Sequence, residues 1–301
     1  MIERILAWPN LCDAWERVAA NRGSPGPDQV SIARFARHWE ENLRRFQELV
    51  RGRHYRPGRL RRVAIPKRGG GQRLLSIANV GDRVLQRAAL NVLEDHFERR
   101  FLACSYGYRP RRSLRHALAA ILTLRDAGLL WVVDADIDGC FDSLDHELLI
   151  QFLDEDVEDV RVRQLLEMWV RAGVQSHQPD RGIAQGMPIS PLLCNVYLHR
   201  LDWRLTRQRW PLVRYADDFI VCCTTQEQAH QAHRAVEAAL ADLNLRLNRA
   251  KTRMTSFEEG FEYLGIRFQR DRYTFTWQDK RFAVRGPAPA WLWTYAPAGY
   301  R

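Results

Sequence analysis

Apolar and polar positions along this chain repeat with two different periods, and each change of period marks an element. From Leu130 to Ile137, Trp131, Val133, Ala135 and Ile137 fall on one side, and Val132, Asp134, Asp136 and Asp138 on the other. A period of two is that of a strand. Pro211 to Cys223 carries two apolar arms, rich in β-branched residues, around Asp217-Asp218. That pattern predicts a tight hairpin with carboxylates at its tip. Arg62-Val63-Ala64-Ile65 and Leu74-Leu75-Ser76-Ile77 flank Gly69-Gly70-Gly71 and predict another hairpin. Ser190 as N-cap and Pro191 at the first helical position open a helix through Leu193, Val196, Tyr197, Leu201 and Leu205.

Composition narrows the class. With 301 residues, 46% hydrophobic and 27% charged, the chain can bury a sizeable core, which excludes general disorder. No window approaches the roughly 18 apolar residues of a membrane span. The opening segment, with Glu3 and Arg4, does not read as a signal peptide, so a cytoplasmic protein is expected. The six cysteines form no C-x-x-C pair and no ligand spacing with the nine histidines, so neither a zinc module nor a disulfide framework is expected.

Charge sharpens the picture more than its total of +10 suggests. Residues 1–115 carry 24 basic and 11 acidic side chains, a net +13 that points to a polyanionic partner. Arg51 to Arg73 alone holds nine cations and no acid. Such a run can be a solvated surface; its glycine loop between strands favours a hairpin presenting cations to phosphate. Asp134 to Asp159 is the reverse, with eleven acids and no Lys or Arg. Only Lys67, Lys251 and Lys280 are lysines among 46 basic residues, a bias that reads as genomic.

Carboxylates on one face of a strand repel one another, and a hard divalent cation among them removes the repulsion. A solvated edge strand explains the same pattern equally well. The second acid pair decides between them. A strand bearing Asp136 beside a hairpin tip bearing Asp217 and Asp218 would supply a two-metal site, with ions ~3.5 to 4 Å apart, suited to in-line attack on phosphorus.

Tyr215-Ala216-Asp217-Asp218 resembles the Y-x-D-D box of reverse transcriptases. Asp136 to Asp142 resembles their first catalytic motif, and Gln185-Gly186-Met187-Pro188-Ile189-Ser190-Pro191 with Asn195 the segment between. Ile65-Pro66-Lys67 through Arg73, Asp82 to Arg87, Ser105 to Pro110 and Lys251-Thr252 follow the order of the bacterial group II intron-like and CRISPR-associated branch. The resemblance runs from about Gly23 to Phe268.

The resemblance implies an RNA-directed DNA polymerase, a nucleotidyltransferase that adds dNTPs to a primer 3′-hydroxyl by two-metal phosphoryl transfer. Asp136 and Asp217 would bind two Mg²⁺ ions, with Mn²⁺ able to substitute, and Asp218 would assist. Phe141 matches the steric gate that rejects a ribose 2′-hydroxyl. Lys67 and Arg73 match positions that hold the incoming triphosphate, and Lys251 the lysine that protonates leaving pyrophosphate, chemistry open to an ammonium but not to a guanidinium. Gln185 and Gly186 would lie beside the nascent base pair. Tyr106, Tyr108 and Arg109 resemble a template contact, and the hairpin with Leu264 and Gly265 resembles the primer grip. Partners would be an RNA template, a DNA or RNA primer and a protein supplying thumb or integrase function, with no membrane.

From these placements follows an α+β, right-hand polymerase organisation. Residues 1–115 would be an N-terminal extension and fingers. Residues 116–268 would be a ferredoxin-like palm with helices near 146–154, 191–207 and 227–244, and 269–301 an aromatic, Pro-rich tail, either a docking segment or a strap over the protein's own surface. The thumb is expected to be absent or vestigial. Asp138 and Ser76-Ile77-Ala78-Asn79 depart from the usual wording. Two alternatives stay open: a phage-defence polymerase of the same fold making protein-primed or untemplated DNA, and a non-catalytic RNA-binding scaffold.

Overall fold

A computed structural model describes residues 1–66, 72–172, 179–277 and 280–286. Lys67 and the Trp291 and Trp293 tail lie outside them. The first helices are α1 (Ile2–Ile5), α2 (Trp8–Ala20), α3 (Ile32–Ala36) and α4 (Trp39–Arg51). The expected basic hairpin follows as β1 (Arg61–Pro66) and β2 (Gln72–Ile77), antiparallel with Ile65 opposite Arg73. Next come α5 (Val80–Glu98), α6 (Leu114–Asp126) and β3 (Trp131–Ala135). A helical stretch comprises α7 (Cys140–Ser143), α8 (His146–Asp156), α9 (Val160–Ala172) and α10 (Ser190–Arg207). The chain continues through β4 (Leu212–Tyr215), β5 (Asp218–Cys223), α11 (Gln226–Ala241) and β6 (Arg253–Ser256). It closes with β7 (Phe261–Tyr263), β8 (Ile266–Gln269), β9 (Arg272–Trp277) and β10 (Lys280–Arg285).

Two compact units result. The first joins Met1–Arg99 to Phe141–Tyr197, the second Arg100–Cys140 to Leu198–Arg301. The first is built on α5, which is buried nearly all round, from Val80 and Val84 through Ala88 and Leu93 to Phe97. A helix apolar on every side belongs in a core. Asp82 lies in this core and accepts from the Tyr55 hydroxyl at 2.7 Å and the Gly58 amide at 3.0 Å, while Trp169 Nε1 donates to Tyr55 at 3.1 Å. Burial raises the Asp82 carboxyl above its ordinary range, and the two donors oppose that rise.

The second unit holds an antiparallel sheet in the order β4-β5-β3-β6. With α11 crossing from β5 to β6, this is the ferredoxin-like arrangement. Both faces are covered. Val132, Val213, Ile220 and Cys222 pack with Ala117, Leu118, Ile121 and Leu122 of α6, and α11 packs on β3 and β5. Asp134 therefore follows Val132 onto a face that is apolar at its start and carboxylate at its end. A second sheet, β10-β9-β8-β7, adds Phe261, Phe268 and Tyr273 to the same core, with Phe261 and Phe268 stacked at 5.1 Å. Residues 272–277 and 280–285, placed by sequence within the tail, form strands here. Their alternation, with Tyr273 and Phe275 turned to the core, is the strand period that tail composition obscured.

Candidate active site

Because Tyr215 pairs with Asp218, the β4–β5 loop has only two residues, Ala216 and Asp217. Asp217 sits at the tip and Asp218 opens β5. The β3–β5 register pairs Ala135 with Phe219, so Asp136 lies one step past the paired region, level with Asp218. Lys251 completes the cluster, its Nζ donating to both Asp136 carboxylate oxygens at 3.0 and 3.3 Å. That bond, with the charges of Asp136, Asp218 and Asp217, raises the lysine above its ordinary range. Lys251 here acts as counter-ion to the carboxylates, whereas proton donation near neutral pH would need the opposite shift. Asp134, beneath them, is pushed up to about 6, chiefly by burial and then by Asp218, with Asp136 adding and Arg253 opposing. Asp138 is exposed and lies past the strand, its amide bound to the Arg246 carbonyl at 2.9 Å.

Several supports of this cluster went unnoticed in the sequence. One short loop grips Asp136: Asn248 N–H donates to its carbonyl at 2.8 Å, and its own N–H donates to Thr252 Oγ1 at 3.3 Å. Arg214, fully buried, forms a two-pronged pair with equally buried Asp202 at 2.7 and 2.6 Å. Its remaining nitrogen donates to the Ala216 carbonyl at 2.7 Å, holding a turn whose Ala216 is left-handed at φ 60°. The segment at Ser105 runs beside β4, with Arg214 N–H donating to Cys104 and Tyr106 N–H to Arg214, both at 2.8 Å. Gly107 lies against the turn so closely that a Cβ there would collide with the Ala216 amide. Tyr263 donates to the Asp218 carbonyl at 3.0 Å. The signal available in sequence was Arg214 itself, a lone charge inside an apolar hairpin arm, which burial obliges to find a partner.

The expected template and primer residues share this unit. Tyr108 is 52% exposed and left-handed at φ 57°. Tyr106 is partly buried against the core, with the Arg112 guanidinium 5.5 Å from its ring. Arg109 is buried and donates to the Leu102 and Ser105 carbonyls at 2.6 and 2.8 Å, so its guanidinium organises the 101–105 loop. Leu264 and Gly265 are the two central residues of the β7–β8 turn, both at positive φ, 54° and 74°.

The other described residues predicted for the site belong to the first unit. Arg73 is exposed on β2, and Lys67 lies outside the described residues. Gln185 accepts from the Ser76 amide at 2.7 Å, and a Cβ on Gly186 (φ 105°) would stand 2.8 Å from the Ser76 carbonyl. The departure at Ser76 thus falls where β2 meets the Gln185-Gly186 turn. Phe141 is half-buried, its carbonyl accepting from Ile183 at 2.8 Å. Ser190 is the first residue of α10, and its hydroxyl donates to the Ala184 carbonyl at 2.6 Å instead of capping the helix.

Residues 65–268 match the family described as reverse transcriptase (RNA-dependent DNA polymerase). The chain belongs to that family. Protein YkfC of Escherichia coli K12 is 31% identical over 315 residues, covering 89% of this chain and 83% of YkfC. The group II intron-encoded protein LtrA of Lactococcus lactis is 36% identical over 168 residues, covering 54% of this chain and 28% of LtrA. Among solved structures, apo telomerase from Candida tropicalis superposes with a TM-score of 0.55 at 14% identity, covering 77% of this chain and 59% of that one. The α+β polymerase fold expected from the motifs is therefore the fold of this reverse transcriptase.

Reverse transcriptases use divalent metal ions, and the donors here suit them. Among the described residues, no three His, Cys, Asp or Glu side chains are gathered tightly enough to cage an ion by themselves. Mg²⁺ seldom needs such a cage, since one or two carboxylates plus substrate phosphates and water complete its shell. Here Asp136 already holds one cation, the Lys251 ammonium, and the charges of Asp218 and Asp217 favour that ammonium as well. Among the described residues, no helix is long and apolar enough to cross a membrane.

Proposed function

We propose that this chain is an RNA-directed DNA polymerase that extends a primer 3′-hydroxyl with dNTPs. The observation that carries the reading is the Asp136–Lys251 ion pair beside the Asp217-Asp218 turn, whose charges also favour the ammonium. Asp136 and Asp217 would hold the two Mg²⁺ ions, with Asp218 assisting. Bound there, the ions would supply acidification of the primer hydroxyl and charge neutralisation at the leaving pyrophosphate.

The chain's own residues do the rest. Arg73 and Lys67 bind the triphosphate and offset its charge. Gln185 and Gly186 orient the nascent base pair, and Phe141 excludes a ribose 2′-hydroxyl. Tyr108 and Tyr106 meet the template, with Arg109 supporting their loop from beneath. Leu264 and Gly265 seat the primer end. Lys251, once the carboxylates gain another cation, is the group placed to hand a proton to pyrophosphate. Residues 1–115 then serve as N-terminal extension and fingers, and 116–268 as palm.

Purified protein given a primed RNA template, Mg²⁺ and dNTPs is expected to extend the primer. Asp217→Ala is expected to abolish extension while leaving the denaturation midpoint and RNA binding unchanged. Extension by that variant at the parent rate refutes the mechanism, and RNA binding without extension by the parent favours the scaffold reading.

A further inference from the structure

Within the first unit, residues 141–146 are laced against 180–183. Ile183 N–H donates to the Phe141 carbonyl and Gly182 N–H to the Leu144 carbonyl, both at 2.8 Å. His146 N–H donates to the Asp180 carbonyl at 3.0 Å, and Asp145 bridges Arg181 in antiparallel register. The strap is pressed close: Gly182 adopts φ 84°, and a Cβ there would stand 3.0 Å from the Asp142 carbonyl oxygen.

Across this lacing runs one buried side-chain bond, from His146 Nε2 to the Gly182 carbonyl at 2.7 Å. A carbonyl oxygen only accepts, so Nε2 carries a proton and donates. The ring is fully buried, and Nδ1 has no hydrogen-bond partner among the described residues. A leucine would fill similar space without an orphaned Nδ1, whose burial by itself costs about 1–3 kcal/mol, but it would leave the Gly182 carbonyl without this donor. Core packing therefore does not account for histidine at this position. What only the histidine provides is the clamp on Gly182, next to the residue bonded to Phe141.

We propose that His146 is a positioning residue for sugar selection: it fixes the Gly182-Ile183 strap and, through it, the backbone of Phe141. The inference rests on the reading of Phe141 as the group that excludes a 2′-hydroxyl. Steric exclusion is steep in distance, and placement in an active site matters on that scale: a misplacement near 1 Å can cost about a hundredfold in rate. A gate on a four-residue helix needs an outside anchor, because so short a helix has little stability of its own.

The test is single-nucleotide extension on a primed RNA template with Mg²⁺, read as the ratio of kcat/KM for a dNTP to that for the matching rNTP. Four variants of the full chain are compared with the parent: Phe141→Val, His146→Leu, His146→Gln and His146→Asn. Phe141→Val is expected to collapse the ratio. His146→Leu, which keeps volume and loses the donor, is expected to lower it about tenfold or more while changing dNTP incorporation far less. His146→Gln, whose amide reaches the Gly182 carbonyl from nearly the Nε2 position, is expected to retain the preference, and the shorter His146→Asn to lose it. Combining Phe141→Val with His146→Leu is expected to add nothing to Phe141→Val alone. If Phe141→Val collapses the ratio and His146→Leu keeps it, the clamp is wrong and the gate stands. If Phe141→Val keeps it, the gate reading fails and the inference falls with it. Should His146→Leu not fold, His146→Gln and His146→Asn decide, and equal ratios for those two overturn the proposal.

Discussion

Asp202 and Arg214 offer the sharpest perturbation of the carboxylate turn. Both side chains are fully buried and joined by two short charge-assisted bonds, and the third guanidinium nitrogen holds the Ala216 carbonyl. Asp202→Asn leaves the guanidinium buried without its counter-charge, and breaking such a pair costs about 3–5 kcal/mol. Replacing both partners by apolar residues of similar size, Asp202→Leu with Arg214→Met, removes the unpaired charge, so stability is expected to return to within about 1–2 kcal/mol of the parent. Activity is not expected to return with it. The Ala216 carbonyl loses its donor in the double variant, and Asp217 sits one residue away. Urea denaturation of all three proteins gives the stabilities, and primer extension under saturating dNTP gives kcat. Full activity in the double variant would refute the view that Arg214 positions the turn; a loss below about 1 kcal/mol for Asp202→Asn would refute the burial argument.

Asp134 supplies a pH dependence. Its carboxyl is raised to about 6 in the folded chain, so the stability it contributes is fully present below pH ~4 and is lost as pH rises through about 6. Asp134→Asn is expected to match the parent at pH 4 and to exceed it at pH 7.5 by at most about 2 kcal/mol, since partial exposure screens the effect. Urea midpoints across that range check the sign, and a difference between the two proteins that does not grow from pH 4 to pH 7.5 refutes it. At Gly107, the nearest atoms to an added methyl are all backbone of the carboxylate turn, at Tyr215 and Ala216. Gly107→Ala is expected to lower stability by about 1–3 kcal/mol and to reduce extension sharply, and unchanged extension would show that the turn tolerates displacement.

Period and motif made the scaffold legible. The alternation at Trp131–Ala135 and the apolar arms around Asp217-Asp218 specify strands because both faces of that sheet are covered and its register cannot slip unnoticed. The supports under the acids were hidden for a physical reason. Asp202 reaches Arg214 from a helix, Thr252 and Asn248 reach Asp136 from a loop more than a hundred residues away, and such meetings leave no local spacing to read. Arg109 shows the converse: its motif position is plain in sequence, but only the fold reveals that its guanidinium faces backbone carbonyls.

The grip of residues 248–252 on Asp136 bears on how this palm can be recombined. Carbonyl, amide and carboxylate of one acid are all bonded to a single five-residue stretch, so the acid and its loop are inherited as one piece. A chimera that takes residues 130–223 from one parent and the Lys251 loop from another would transplant three handles onto a foreign grip. Crossover points that respect the chemistry lie outside both, before Leu130 and after Ser256.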